Sequence, residues 1–196
     1  MTVEEQVLTF ASQAAFAQWL AEHQDTSNAV WLRHAKKGAP AATVSYQEAL
    51  EVALCFGWID GIKKAEDAHY FRQRWTPRRA RSIWSKVNRD KALRYIEEGK
   101  MQPAGLREVE RARQDGRWEA AYDAVSQATV PADLQAAFEQ HPGAEAFFAT
   151  LNSQNRYAVL FRIQTAKKPE TRARKIAQFA AMLARHETLH PVMGKS

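Results

Sequence analysis

Ser45-Tyr46-Gln47-Glu48 constrains the fold more than any other stretch of this chain. A serine followed three residues later by glutamate can satisfy two orphan amides reciprocally at a helix start. The residues that follow carry Tyr46, Ala49, Leu50 and Ala53 at helical spacing as far as Phe56. Gly57 then offers the positive φ that ends a helix. Trp58–Lys64 and Tyr70–Trp75 have the composition of strands, and the polar connection Ala65–His69 is short enough to make them antiparallel.

Upstream, residues 7–10 form a short extended segment, and Ser12 can cap a helix whose Phe16, Trp19 and Leu20 share a face. Ala29–Ala35 alternates like a strand and stops at Lys36–Pro40. The order helix, strand, helix, strand, strand predicts an α+β layer, with a small antiparallel sheet of about three strands packed with helices. Thr76-Pro77 is read as a helix start, with Ser82 as a second capping point for a helix through Glu98 that Gly99 closes. Pro103–Arg113 is a further helix, with many charges for few apolar anchors.

After about residue 130 the pattern is helical without strands. Pro131, Pro142 and Pro169 each stand at a predicted helix start. The expected organisation is an α+β domain over residues 1–116, an all-helical C-terminal unit over 117–188 packed on it, and a flexible tail over 189–196.

Charge is concentrated. The chain has a formal net charge of +6, yet residues 71–94 hold nine basic residues against Asp90 alone, and the remainder is slightly acidic. Trp58, Trp75 and Trp84 are interleaved with Arg72, Arg74, Arg78, Arg79, Arg81 and Lys86. Guanidinium groups mixed with aromatic faces suit an anionic or planar partner. The candidate ligand-binding residues are Asp60, Lys63, Arg74, Thr76, Arg78, Arg79, Ser82, Trp84, Ser85 and Asn88. If Thr76 caps a helix, Arg79, Ser82, Ser85 and Asn88 fall along one face near its positive end, where an anion is favoured. Asp60 either pairs with Arg72 or Arg74 across the hairpin or caps a turn with Gly61. Its sharper reading is a general acid or base, with Lys63 or Ser82 as polar partner.

Other chemistries have little support. Cys55 is the only cysteine, which excludes an intramolecular disulfide, fits a reducing compartment, and reads as a small buried apolar residue. The chain has no phosphate-cradling glycine motif and no nucleophile elbow. His186 and His190 have a metal-compatible spacing without the rest of a zinc motif, so neither a metal nor a cofactor is expected. The early uncharged run is amphipathic, so no membrane span is expected, and with no secretory signal the expected location is cytoplasmic.

The strings Phe56-Gly57-Trp58-Ile59-Asp60-Gly61, Arg74-Trp75-Thr76-Pro77-Arg78-Arg79, Ser82, Trp84-Ser85 and Asn88, with Gly99, Met101 and Gly105, resemble the YdeI/OmpD-associated family, often called bacteriocin-protection proteins. The run Lys167–Arg174 with Ile176 looks like the same family, so the likeness extends from about residue 8 to 185. Trp75 stands where phenylalanine is more usual. The resemblance implies a bacterial protein linked to protection against peptide toxins or to an outer-membrane protein, and brings no catalytic residue set. Three readings follow. The first is a non-catalytic anion-binding or interaction protein that holds an acidic small molecule or acidic peptide. The second is a nucleic-acid-binding protein that stacks bases on Trp75 and Trp84. The third is an enzyme that uses Asp60 with neighbouring arginines on an anionic substrate.

Overall fold

A computed structural model describes residues 6–123 and 129–191 and divides the chain into two compact units, Met1–Ala121 and Tyr122–Ser196. The first unit has strand β1 (Val7–Leu8), helix α1 (Gln13–His23), β2 (Val30–Ala35), α2 (Tyr46–Cys55), β3 (Trp58–Ala65), β4 (Tyr70–Pro77), α3 (Lys86–Glu97) and α4 (Pro103–Gln114). The expected α+β class holds, but the sheet has four strands, in the order β1-β2-β4-β3. The additional strand, β1, pairs parallel with β2 through Val7↔Trp31 and Leu8↔Leu32, so the sheet is mixed. Two residues are too few to show a strand period, which is why only the partner strand reveals it.

The capping box is present in full: Ser45 Oγ accepts from the Glu48 amide at 3.2 Å, and Glu48 Oε2 accepts from the Ser45 amide at 2.8 Å. Gly57 follows with φ +75°, and the chain turns directly into β3. Alternation along the strands gives the sheet an inner face of Val30, Leu32, His34, Gln73, Trp75 and Trp58. Phe16 of α1 and Tyr46 of α2 pack their rings on Trp75, and Trp19 meets Trp58 edge-on at 6.3 Å. His34 lies in this layer, stacked on Phe71 with its Nδ1 at 2.8 Å from the Val44 carbonyl; burial holds its pKa below the usual value.

One expectation is overturned here. Thr76-Pro77 does not begin a helix: both residues complete β4, opposite Ile59 and Trp58. Proline lacks the N–H that a continuing ladder would need, so it is equally compatible with a strand end. The helix begins nine residues later at an N-cap, Ser85, whose Oγ accepts from the Asn88 amide at 3.2 Å.

The second unit contains α5 (Ala132–Glu139), α6 (Ala144–Thr150), α7 (Ser153–Gln164) and α8 (Pro169–Ala184), around a core that includes Leu134, Phe138, Phe148, Ile163, Phe179 and Leu183. Pro131 and Pro169 stand at the starts of α5 and α8, whereas α6 is preceded by Gly143 in the left-handed region. Asn155, buried in α7, holds the C-terminal segment by accepting from the His190 amide at 2.9 Å and donating to its carbonyl at 3.1 Å. Residues 192–196 of the expected tail lie outside the described residues.

Candidate anion site

The residues singled out by sequence separate into three places. Asp60 is on the inner face of β3 opposite Trp75, where it accepts a hydrogen bond from Tyr46 Oη of α2 at 2.9 Å. Lys63 lies beyond a bulge in β3 and stands over the Phe71 ring at 4.0 Å. Ser82 is in the loop after β4, so it is not the partner of Asp60. Arg72 pairs with Glu66 rather than with Asp60, and Arg74 and Thr76 belong to the opposite, outer face of β4. Ser85 and Asn88 form the α3 N-cap. Arg79 is exposed, and its amide donates to Ser82 Oγ at 2.9 Å within the loop turn. Thr76, Arg79, Ser82, Ser85 and Asn88 therefore do not share one helix face.

Arg78, Ser82 and Trp84 do come together, with partners that the sequence did not indicate. The Arg78 amide donates to the Gly57 carbonyl at 2.9 Å, which carries the chain from β4 inward. The Arg78 side chain then lies under the loop, 5% exposed, with its guanidinium 3.7 Å from the Trp84 ring centre and Nη2 donating to the Ile83 carbonyl at 2.8 Å. Arg117, also 5% exposed, donates through Nη1 to the adjacent Ser82 carbonyl at 2.7 Å and through Nε to Asp115. Two guanidinium groups thus rest on consecutive peptide carbonyls. Trp84 packs edge-on against Trp118 at 4.9 Å and forms the apolar wall.

Helix α4 supplies the third arginine and the central carboxylate. Arg111 donates to Glu108 one turn earlier. Burial pushes the Glu108 carboxyl above its ordinary range, against the opposing pull of Arg111, Arg78 and Arg117. The helix can come this close because Gly105 lies against the Cys55 carbonyl, where any Cβ would collide, and the Gln102 amide donates to that same oxygen at 3.0 Å. At Gly57, a Cβ would be 3.0 Å from both the Ala104 carbonyl oxygen and Glu108 Cγ. Two glycines therefore set the distance between the helix and the β3 start.

The cluster is rich in donors and poor in acceptors. Arg117 Nη2, Arg111 Nε and Trp84 Nε1 are all buried without a hydrogen-bond partner among the described residues. A buried donor left unmatched costs about 1–3 kcal/mol, and more when charged. Three guanidinium groups against two carboxylates, Glu108 at the centre and Asp115 beside Arg117, leave the site electropositive, and a bound anion would supply the acceptors that it lacks. The signal that sequence did offer was the high charge of α4 for its few apolar anchors, together with the Glu108–Arg111 spacing of neighbours on a helix.

Residues 8–108, just over half of the chain, match the model of a domain of unknown function, DUF8412. The chain belongs to that family. Its DUF8412 segment holds the whole Phe56–Asn88 string and reaches Glu108, while Arg111 and Arg117 follow it. Residues 127–186 match the model described as bacteriocin-protection, YdeI or OmpD-associated, which supports the resemblance through the Lys167–Ile176 run; the match does not extend over residues 8–126, and the Phe56–Asn88 strings lie outside it. No curated protein and no solved structure matches the chain. No helix among the described residues is long and apolar enough to cross a membrane.

Proposed function

We propose that this is a non-catalytic anion-binding protein whose ligand, a small acidic molecule or the acidic group of a peptide, is held by Arg78, Arg111 and Arg117 beside Trp84. The observation that carries the reading is the buried Arg117 guanidinium, with an Nη2 that has no acceptor, in a cluster where arginines outnumber carboxylates. The match of the second unit to a bacteriocin-protection family adds a physiological setting for an acidic peptide ligand. A cytoplasmic location fits a lone Cys55 that is buried and whose thiol pKa is pushed up to about 11, chiefly by burial.

Inorganic phosphate, sulfate and citrate, titrated while the melting temperature is followed, test the proposal. A ligand that binds only the folded state raises that temperature with concentration. The shift is expected to grow in Glu108→Gln, to disappear in Arg117→Gln, and to persist in Arg79→Ala. Absence of a shift with all three anions, or a shift retained in Arg117→Gln, would remove this site.

Stacking of bases on Trp75 and Trp84 loses its basis, because both rings are buried. An enzymatic role for Asp60 has no supporting partner in Ser82, and Lys63 is engaged over Phe71.

A further inference from the structure

The outer face of the sheet carries a second basic and aromatic surface, separate from the buried cluster. The register places Trp31 opposite Arg74, Arg33 opposite Arg72, Ala35 opposite Tyr70, and Lys64 opposite Arg72 on the other side. All of these point away from the inner layer of Leu32, His34, Gln73 and Trp75. The packing of α1 and α2 on the sheet, through Phe16, Trp19 and Tyr46, is with the inner tryptophans Trp75 and Trp58.

On this face aromatics and cations alternate. Lys64 reaches across β4 to stand 4.9 Å over Trp31, and the Arg33 guanidinium lies 4.7 Å from the Tyr70 ring centre. Arg33 and Arg72 are directly opposite on neighbouring strands, an arrangement that like charges disfavour. Glu66 bridges them, with Arg33 Nε and Arg72 Nε each at 3.0 Å from its oxygens, and these arginines hold its carboxyl below the usual range. Among the described residues, three cations that reach solvent, Arg33, Lys64 and Arg72, thus surround the Glu66 carboxylate. The Arg33 and Arg72 side chains remain 38% and 41% exposed, and Lys64 is exposed, so they can meet a large partner.

We propose that this outer face binds single-stranded nucleic acid. Every base has a face that stacks on an aromatic ring, and Lys64 and Arg33, which cover the Trp31 and Tyr70 rings in the free protein, would turn to the phosphates as bases take their place. A duplex hides its base faces, and the sheet projects no helix to enter a groove, so an unpaired strand is the form this surface fits. An acidic polypeptide would satisfy the charges but would make no use of the aromatic faces of Trp31 and Tyr70.

Fluorescence anisotropy of a labelled oligouridine, measured with the full chain at low and moderate salt, tests the proposal. Binding should weaken steeply with salt, and Trp31→Ala should reduce affinity about tenfold, the range expected for one lost base stack. Lys64→Glu, at an exposed position that leaves the core intact, should also weaken binding and shallow the salt slope. Arg117→Gln should change neither, which separates this surface from the buried anion site. No salt-dependent binding, equal affinity for a duplex, equally effective competition by polyglutamate, or unchanged affinity in Lys64→Glu would each overturn it.

Discussion

Arg117 and Arg72 are the same residue type under opposite conditions. Arg117 is nearly enclosed, fixed on the Ser82 carbonyl and Asp115, while Arg72 lies on an open sheet face beside Glu66. The two nearby glutamates respond in opposite directions: Glu108 is pushed up because burial outweighs three arginines, and Glu66 is pulled down because its hydrogen bonds to Arg33 and Arg72 outweigh its slight burial. Proximity to arginine thus fixes neither the protonation tendency nor the structural weight of a carboxylate. Desolvation decides which effect wins.

The largest test of this contrast is Gly105→Ala. The new methyl group would meet the Cys55 carbonyl, which is backbone and cannot move aside, so α4 must retreat and the buried cluster must open; about 3 kcal/mol of stability should be lost in denaturant unfolding. Arg117→Ala should follow at about 2–3 kcal/mol, because it removes the guanidinium that the Ser82 carbonyl accepts from and that Asp115 pairs with. A loss below half a kcal/mol, about the value of an ordinary surface change, would erase the distinction between the regions.

The third test uses pH. The raised Glu108 pKa means that the folded chain holds this proton more tightly than the unfolded one. Its contribution is therefore fully present below the ordinary value of 4.5 and is lost as pH rises through the raised folded value. Glu66 behaves inversely, since its contribution is present above 4.5 and is lost as pH falls through the depressed folded value. Melting temperatures from about pH 3 to about pH 7 should therefore show Glu108→Gln gaining on the parent as pH rises, and Glu66→Gln gaining on it as pH falls. Parallel curves for the two variants would break the comparison. The smallest effect is expected for Arg72→Ala, under about 1 kcal/mol and diminished by salt, as for other exposed pairs.

Legibility in the sequence followed the range of the interactions. The Ser45 capping box, the Gly57 turn and the β3–β4 hairpin depend on residues within a few positions of one another, and each is present where the sequence indicated. Thr76-Pro77 was misread because threonine followed by proline suits both a helix start and the end of a strand, and the choice between them rests on whether a neighbouring strand is there to pair. The basic run of residues 71–94 was visible as a charge excess, but strand alternation sends Arg72 and Arg74 to one side of the sheet and the turn at Gly57 takes Arg78 to another place. The buried site needed Glu108, Arg111 and Arg117, which are about thirty to forty residues away from Arg78 along the chain.

By itself, then, the sequence determined most of the helical and strand segments, the α+β class of the first unit and the concentration of positive charge near the hairpin, because periodicity, capping and turn chemistry act locally. Only the tertiary structure decided which arginines are buried and which remain in water. That choice depends on α4 approaching the β3 start through Gly105 and Gly57, a contact between distant segments, and on the desolvation that the contact brings.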